Sequence, residues 1–457
     1  MNSLNRQVSM TQTQDFRYNW ILLVIAAVLA RLAFLHSGLL WDSAVYVGMG
    51  KFLFSVGTSG LWEHIRPPLL PIILGFFWKL NLDSILVYKA ISLTFSAMLI
   101  WLVCKAGKQE NKNDNATGFI AASLIAVSAI IAMMSFQLYT EIPAVVCILG
   151  AYLLYKEYDW LAGIMLALAF MFKFPSGIAL IPFIIVLTFN KQFKSTIKLC
   201  LGFAIALLPY LIINAIIYKN PFTPFLDASS VINNVLGCNV LNYQPFWQYG
   251  IWVLTESIIY LFAIPGIVIA VRKKNWLLVL LALLPLIYFA QLHCRDYRYI
   301  IQILPFLAIL AALSFQKIVK NIHLGLIIIV ICAIPGLLAL QQQQTTISTQ
   351  EHDYYVFNSS TDKEIWTSNP MITLYTNKPI NKIYYPLYHQ NPNKFLDYLK
   401  ENNSRIWGVF LDNCGGGIVC DTENCKQTQD NTIDFLNTNF KLEYNESYGN
   451  CWFTIYS

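Results

Sequence analysis

The sequence predicts a helical, multi-span membrane region followed by a small polar α/β domain, and three observations carry that expectation. Of 457 residues, 56% are hydrophobic and 12% charged, with a mean hydropathy of +0.52. Ordinary soluble domains carry about 25% charged residues. Apolar runs recur between residues 19 and 340 at lengths near the roughly 20 helical residues that cross a hydrocarbon core. After QQQQTTISTQ (341–350) the chain turns polar and loses that pattern.

In chain order, residues 1–18 form a polar tail. The first apolar run, Trp20 to His36, lacks a small-residue cleavage site and reads as a retained anchor. Lys and Arg collect in cytoplasmic loops. Spans consistent with their placement lie near 19–36, 85–104, 116–136, 142–155, 160–174, 176–190, 197–218, 249–271, 276–290, 299–316 and 322–340. Eleven crossings put the N-terminus in the cytoplasm and residues 344–457 outside. The stretch 67–80 is short for a span and is expected to be juxtamembrane or re-entrant; counting it would make twelve. The membrane domain therefore covers 19–343, with its first external loop at 37–84.

In the tail, EIWTS, INKIYY, RIWGVFL and CWFTIYS read as strands, NPMITLYT and NPNKFLDYLKEN as helices. Cys414, Cys420, Cys425 and Cys451, with Cys238 and Cys294 in external loops, suggest disulfides in an oxidising compartment. Metal binding by CGGGIVCDTENC is the lesser alternative, since no CxxC pair is present. Cys104, Cys147, Cys200 and Cys332 fall in spans and read as small buried apolar residues.

Ionisable groups inside spans are costly, so each needs a reason. Arg31, Lys89, Glu141, Lys173 and Glu256 all fall near the external ends of their helices, and His293, Arg295, Asp296 and Arg298 sit at an external junction. Snorkelling to the interface is the bland account. Cations gathered with carboxylates on the outer face, against the usual positive-inside bias, instead suggest a site for an anionic lipid-borne substrate such as a phosphate or diphosphate head group. The loop LLWDSAVYVGMGKFLFSVGTSGLWEHIRPPLLP places Asp42 at the exit of the first span and Arg66 before a rigid Pro-Pro turn. A partly desolvated Asp42 suits a general base, and it also suits a helix N-cap. Arg66 suits an acidic head group or a membrane anchor.

Taken in order, the external Asp42, RPPLLP, SFQLYTEIPA, FMFKFPSGIALIPFIIVL and HCRDYRYIIQILPFLAILAA resemble the GT-C superfamily of polytopic glycosyltransferases. The resemblance is nearest to the branch of protein O-mannosyltransferases and lipid A aminoarabinose transferases. It spans residues 19–345 in order and spacing, and the tail in general style. It implies a GT-C fold, with Asp42 as catalytic base and Glu141 as the second external acid. Ser43 stands where many relatives have another acid. Arg298 and Tyr299 match the late Arg-Tyr pair near the lipid phosphate, and His293 and Arg295 resemble its basic lead-in. Lys173, with Arg66, would contact the donor phosphate. The implied partners are a polyprenyl-phosphate sugar donor, a protein, lipid or glycan acceptor, and membrane lipid, with no nucleic acid. The implied reaction is inverting transfer to an acceptor hydroxyl on the extracytoplasmic face.

Two alternatives stay open. A transporter or flippase also needs intramembrane charges, although the two halves show no repeat. A GT-C enzyme with a diphosphate-linked donor would use Glu141 with a divalent metal.

Overall fold

The computed structural model describes residues 20–35, 38–82, 85–111, 115–234, 244–292, 295–341, 364–384, 393–413, 423–448 and 451–457. Its helical part begins with α1 (Trp20–Arg31), α2 (Trp41–Phe54), α3 (Leu69–Lys79), α4 (Ile85–Glu110), α5 (Asn115–Ala126), α6 (Ala129–Met134), α7 (Glu141–Leu154) and α8 (Asp159–Phe172). It continues with α9 (Leu180–Phe189), α10 (Phe193–Tyr218), α11 (Thr223–Asn234), α12 (Gln248–Glu256), α13 (Ala263–Arg272), α14 (Trp276–Gln291), α15 (Leu304–Ile318) and α16 (Ile322–Gln341).

Apolar side chains run all round most of these helices, so burial sorts them by position in the bundle. Almost all of α7 and α15 is buried, and these two helices form its centre. In contrast, α10 turns Ile205, Leu208, Ile212 and Ile216 outward. A contiguous apolar surface of that kind marks a membrane-facing side.

Among the described residues two helices are long and apolar enough to cross a membrane unaided, α4 and α10, and a third span results if α12 and the segment Ile258–Arg272 count as one. Most of the other apolar helices run 10–17 residues. Several expected spans are broken. The run 116–136 divides at Ser128, whose side chain caps α6 by accepting from Ile131 N. The run 249–271 bends by 115° at Ser257. The runs 176–190 and 299–316 each begin in a 3-10 turn, at Phe174–Ala179 and Tyr297–Gln302. Side-chain caps at Ser128, Ser257 and Asp296, and Pro175 at the fourth break, interrupt these runs, and hydropathy alone does not register them. The short segment 67–80 forms α3, which leaves Ile72 and Phe76 exposed.

The C-terminal part is a five-stranded sheet of order β2-β1-β3-β5-β4, with β1 (Glu364–Thr367), β2 (Ile380–Ile383), β3 (Ile406–Asp412), β4 (Leu442–Tyr448) and β5 (Cys451–Tyr456). β1 pairs in parallel with β2 and β3, while β5 pairs antiparallel to β3 and β4. The four expected strands are present; β4 and the helix α19 (Glu423–Asn439) were not foreseen. The expected helices appear as α17 (Ile372–Tyr375) and α18 (Lys394–Asn402).

Period-two alternation gives the sheet two apolar faces. Ile365, Phe410, Phe453 and Ile455 join the core of the helical body. Trp366, Val409, Leu411 and Tyr456 face a second core with Phe395 and Leu399 of α18 and Leu436 of α19. Among the described residues no disulfide pair is complete: Cys451 is disulfide-bonded, whereas Cys238, Cys294, Cys414 and Cys420 lie outside the described residues.

The sheet docks on the first loop of the helical body. Lys51 of α2 donates to the carbonyls of Thr373 (2.8 Å) and Thr376 (3.0 Å), and Thr373 Oγ1 donates to Ala44 O (2.8 Å). Gly60 exchanges backbone hydrogen bonds with Lys378 O (3.0 Å) and Ile380 N (2.7 Å). Its φ is +77°, and a Cβ there would lie 2.1 Å from Gly48 O. Gly60→Ala should therefore loosen this junction at a cost of about 1–3 kcal/mol. Faster limited proteolysis between helical body and sheet would show it; an unchanged cleavage rate would count against the junction.

Candidate active site

Asp42 sits in the first turn of α2, not at its cap: the N-cap is Leu40. Asp42 therefore does not take the cap role expected for it, and the N-cap Leu40 makes no side-chain cap hydrogen bond. Leu40 N donates to Gln137 Oε1 (2.9 Å), and Gln137 Nε2 donates to Gly38 O (2.8 Å). Ser43 Oγ also donates to Gln137 Oε1 (3.3 Å) and accepts from Leu138 N (3.1 Å). Gln137 and Ser43 together tie the start of α2 to the Phe136–Glu141 loop. Ser43 therefore serves as a hinge pin at the place where the resemblance would put a second acid.

With its backbone fixed, the Asp42 carboxylate is left to two guanidiniums. Oδ1 accepts from Arg66 NH1 at 2.7 Å and Oδ2 from Arg298 NH1 at 2.5 Å. Each arginine holds a second acid, Arg66 with Glu63 (2.5 Å) and Arg298 with Asp296 (2.6 Å). Arg298 lies over the Tyr139 ring at 4.8 Å, and Arg66 lies 5.6 Å from the Tyr46 ring centroid. Arg66 reaches this point because Pro67 and Pro68 end the loop, Pro68 capping α3. The Tyr297–Gln302 turn carries Arg298, and Asp296 caps that turn by accepting from Arg298 N (2.9 Å).

Beside this chain stands a second pair. Glu141 opens α7, where a negative charge suits the helix dipole. It accepts from Lys173 Nζ at 2.5 Å, and Nζ lies 4.7 Å above the Tyr299 ring, itself stacked on Phe289. Lys173 is the extended C-cap of α8, and Pro175 shortly beyond it cannot continue that helix.

Burial pushes the Asp42 carboxyl up, but the two arginines more than offset this and hold it well below the usual carboxylate range. Asp296 is likewise lowered, with burial opposed by Arg298. Burial chiefly, offset in part by Arg66, leaves the Tyr46 hydroxyl at about 12, so it stays protonated. Depressed carboxyls contribute stability present above the ordinary value of about 4 and lost as pH falls through their folded values.

Six of the eight expected residues thus meet in one layer: Asp42, Arg66, Glu141, Lys173, Arg298 and Tyr299. Arg295 is directed elsewhere, donating to Ala290 O near the end of α14 (3.1 and 2.8 Å) and to Gln244 O ahead of α12. His293 lies outside the described residues. Three other charges read as outer-face cluster members serve helix ends instead. Arg31 donates to Ile125 O (3.4 Å) and Lys89 to Leu35 O (2.5 Å). Glu256 accepts from Ser128 Oγ (2.6 Å), Ile130 N (3.1 Å) and the Tyr297 hydroxyl. It so joins two helix breaks to the residue preceding Arg298.

The sequence marks Glu63 as one of the first loop's charges but gives it no role, three residues before the Arg66 it pairs with, and nothing in it points to Gln137 or Tyr139. Among the described residues no group of three or more His, Cys, Asp or Glu converges as a metal site.

Comparison with known proteins bears on this arrangement. Residues 65–218 match the family model described as dolichyl-phosphate-mannose-protein mannosyltransferase. That segment holds Arg66, Glu141 and Lys173, while Asp42, Arg298 and Tyr299 lie outside it. No curated protein sequence matches the chain.

The crystal structure of ArnT from Cupriavidus metallidurans bound to undecaprenyl phosphate is similar in fold, with a TM-score of 0.65 at 9% identity, covering 96% of this chain and 98% of that one. The apo structure of the same protein gives 0.64 at 9% identity over the same shares. The chain therefore has an ArnT-like fold, mostly helical with a small C-terminal sheet, and resembles the GT-C glycosyltransferases both in that fold and in the family model its residues 65–218 match.

Proposed function

We propose that the chain is an integral membrane glycosyltransferase that moves a sugar from a polyprenyl-phosphate donor to an acceptor hydroxyl on the extracytoplasmic face, with inversion. The observation that carries this reading is the Asp42 carboxylate held between Arg66 and Arg298 at 2.7 and 2.5 Å. The ArnT-like fold supports it, since that relative is described with undecaprenyl phosphate bound.

Asp42 takes the proton of the acceptor hydroxyl, whose oxygen then attacks the anomeric carbon from the face opposite the phosphate. The bond to the phosphate oxygen breaks and the electron pair leaves with the carrier. Negative charge grows on that phosphate in the transition state, so Arg66, Arg298 and Lys173 favour the transition state over the ground state. Before the donor arrives these cations rest on Asp42 and Glu141. A phosphate competing for them loosens the grip on Asp42 and raises its basicity at the moment it is needed. The aromatic floor of Tyr299 and Phe289 holds the Lys173 side chain towards the same space.

In this reading the N-terminus is cytoplasmic, and the polar part from about residue 344 onward is extracytoplasmic. Docked on α2 beside Asp42, its sheet selects the acceptor. The test is sugar transfer by purified full-length protein from synthetic polyprenyl-phosphate donors. Labelled product is the expected result. Donor movement between vesicle leaflets without transfer would make the chain a transporter.

A further inference from the structure

We propose that the chain holds the phosphate headgroup of an anionic membrane lipid in a cavity on the membrane face opposite Asp42. The cavity lies where α1, α4 and α5 meet and has a volume of about 220 Å³. Its lining includes Trp20, Trp101, Lys105, Lys108, Asn115 and Phe119.

Its location follows from helix direction. Near the start of α4, Ser92 donates to Gln137 O at 2.6 Å, which anchors that end beside α2 and Asp42. Lys105 and Lys108 come thirteen and sixteen residues later, about 20–24 Å along the helix at its usual rise. Trp20 begins α1, whose far end at Arg31 reaches Ile125 at the far end of α5. Trp20 and Asn115 therefore sit at the same end as the two lysines.

The chemistry of the cavity suits a phosphate monoanion. Lys105 Nζ lies 4.0 Å from the Trp101 ring centroid. Neither lysine forms an ion pair with a described carboxylate. Glu110, the nearest acid in sequence, is occupied by the Tyr152 hydroxyl and Asn275 Nδ2. The rim is thus net positive, with an amide from Asn115 and two indole rings of the kind found at membrane interfaces.

What distinguishes a lipid from a free anion is the surface next to the cavity. Leu22, Ile25 and Leu29 of α1 are exposed and continue from Trp20 along the membrane direction. Acyl chains lie there while the headgroup occupies the pocket. Basic pockets between membrane helices hold anionic headgroups in this way.

Native mass spectrometry of the delipidated full-length protein tests this with phosphatidylglycerol, phosphatidylcholine and inorganic phosphate as separate probes. Wild type should retain phosphatidylglycerol well above phosphatidylcholine. Lys105→Gln with Lys108→Gln should weaken that retention roughly 10–30-fold, and Lys105→Arg with Lys108→Arg should keep most of it. Equal retention by wild type and the Gln pair, or no preference over phosphatidylcholine, would overturn the site. Inorganic phosphate displacing the lipid at equal concentration would overturn the lipid as its occupant. These readouts need no transferase activity, so failure here and failure of the transferase reading are separable.

Discussion

On the proposed mechanism Asp42→Asn should lower sugar transfer by about 10²–10⁴-fold, the range a positioned general base supplies, while donor binding survives. Asn keeps the shape of the side chain and cannot take a proton. The fold should tolerate the change, because Arg66 still holds Glu63 and Arg298 still holds Asp296. Removing one negative charge also leaves both guanidiniums freer for a phosphate, so donor affinity should stay level or rise. Transfer kinetics and donor titration on the same protein preparation separate the two effects. Full transfer by the Asn variant would remove Asp42 as the base; loss of donor binding together with transfer would point to a misfolded loop.

Arg298→Gln is the second large effect. Arg298 touches Asp42 and Asp296 and stacks over Tyr139. In the proposed role of a cation aimed at developing phosphate charge, its loss should lower kcat by about 10²–10³-fold. A further signature is the pH profile. The Asp42 carboxyl lies low because two arginines oppose its burial. With one gone, burial acts against a weaker counter-charge and the carboxyl rises. The acid limb of kcat/KM should then move to higher pH, and Arg298→Lys should move it part of the way back. A profile that keeps its acid limb while the rate falls would assign Arg298 to donor binding alone.

The parts of this site differ in how legible they were. Asp42, Arg66, Glu141, Lys173 and Arg298 were readable because charged residues in an apolar chain are few and costly, and because Pro67, Pro68 and Pro175 mark where helices must end, whereas Tyr299 came only with the family resemblance. Arg295 and Glu256 looked like members of the same set, since both fall at the external ends or junctions of predicted spans. Only packing shows Arg295 spent on the carbonyls of Ala290 and Gln244 and Glu256 on the cap of α6. Gln137 carried no charge to draw attention, yet it fixes the entry of α2 across a gap of 97 residues.

The sequence by itself determined that this chain is mostly helical and apolar, that its polar tail holds strands and helices of a small α/β unit, and that rare ions fall near helix ends. Composition and period decide those things, because they set which surfaces can meet water. Tertiary structure alone decided which cation meets which carboxylate, where apolar runs break, and how the sheet seats on Gly60 and Lys51. Those outcomes depend on hydrogen bonds between residues far apart in the chain, and local pattern holds no record of them.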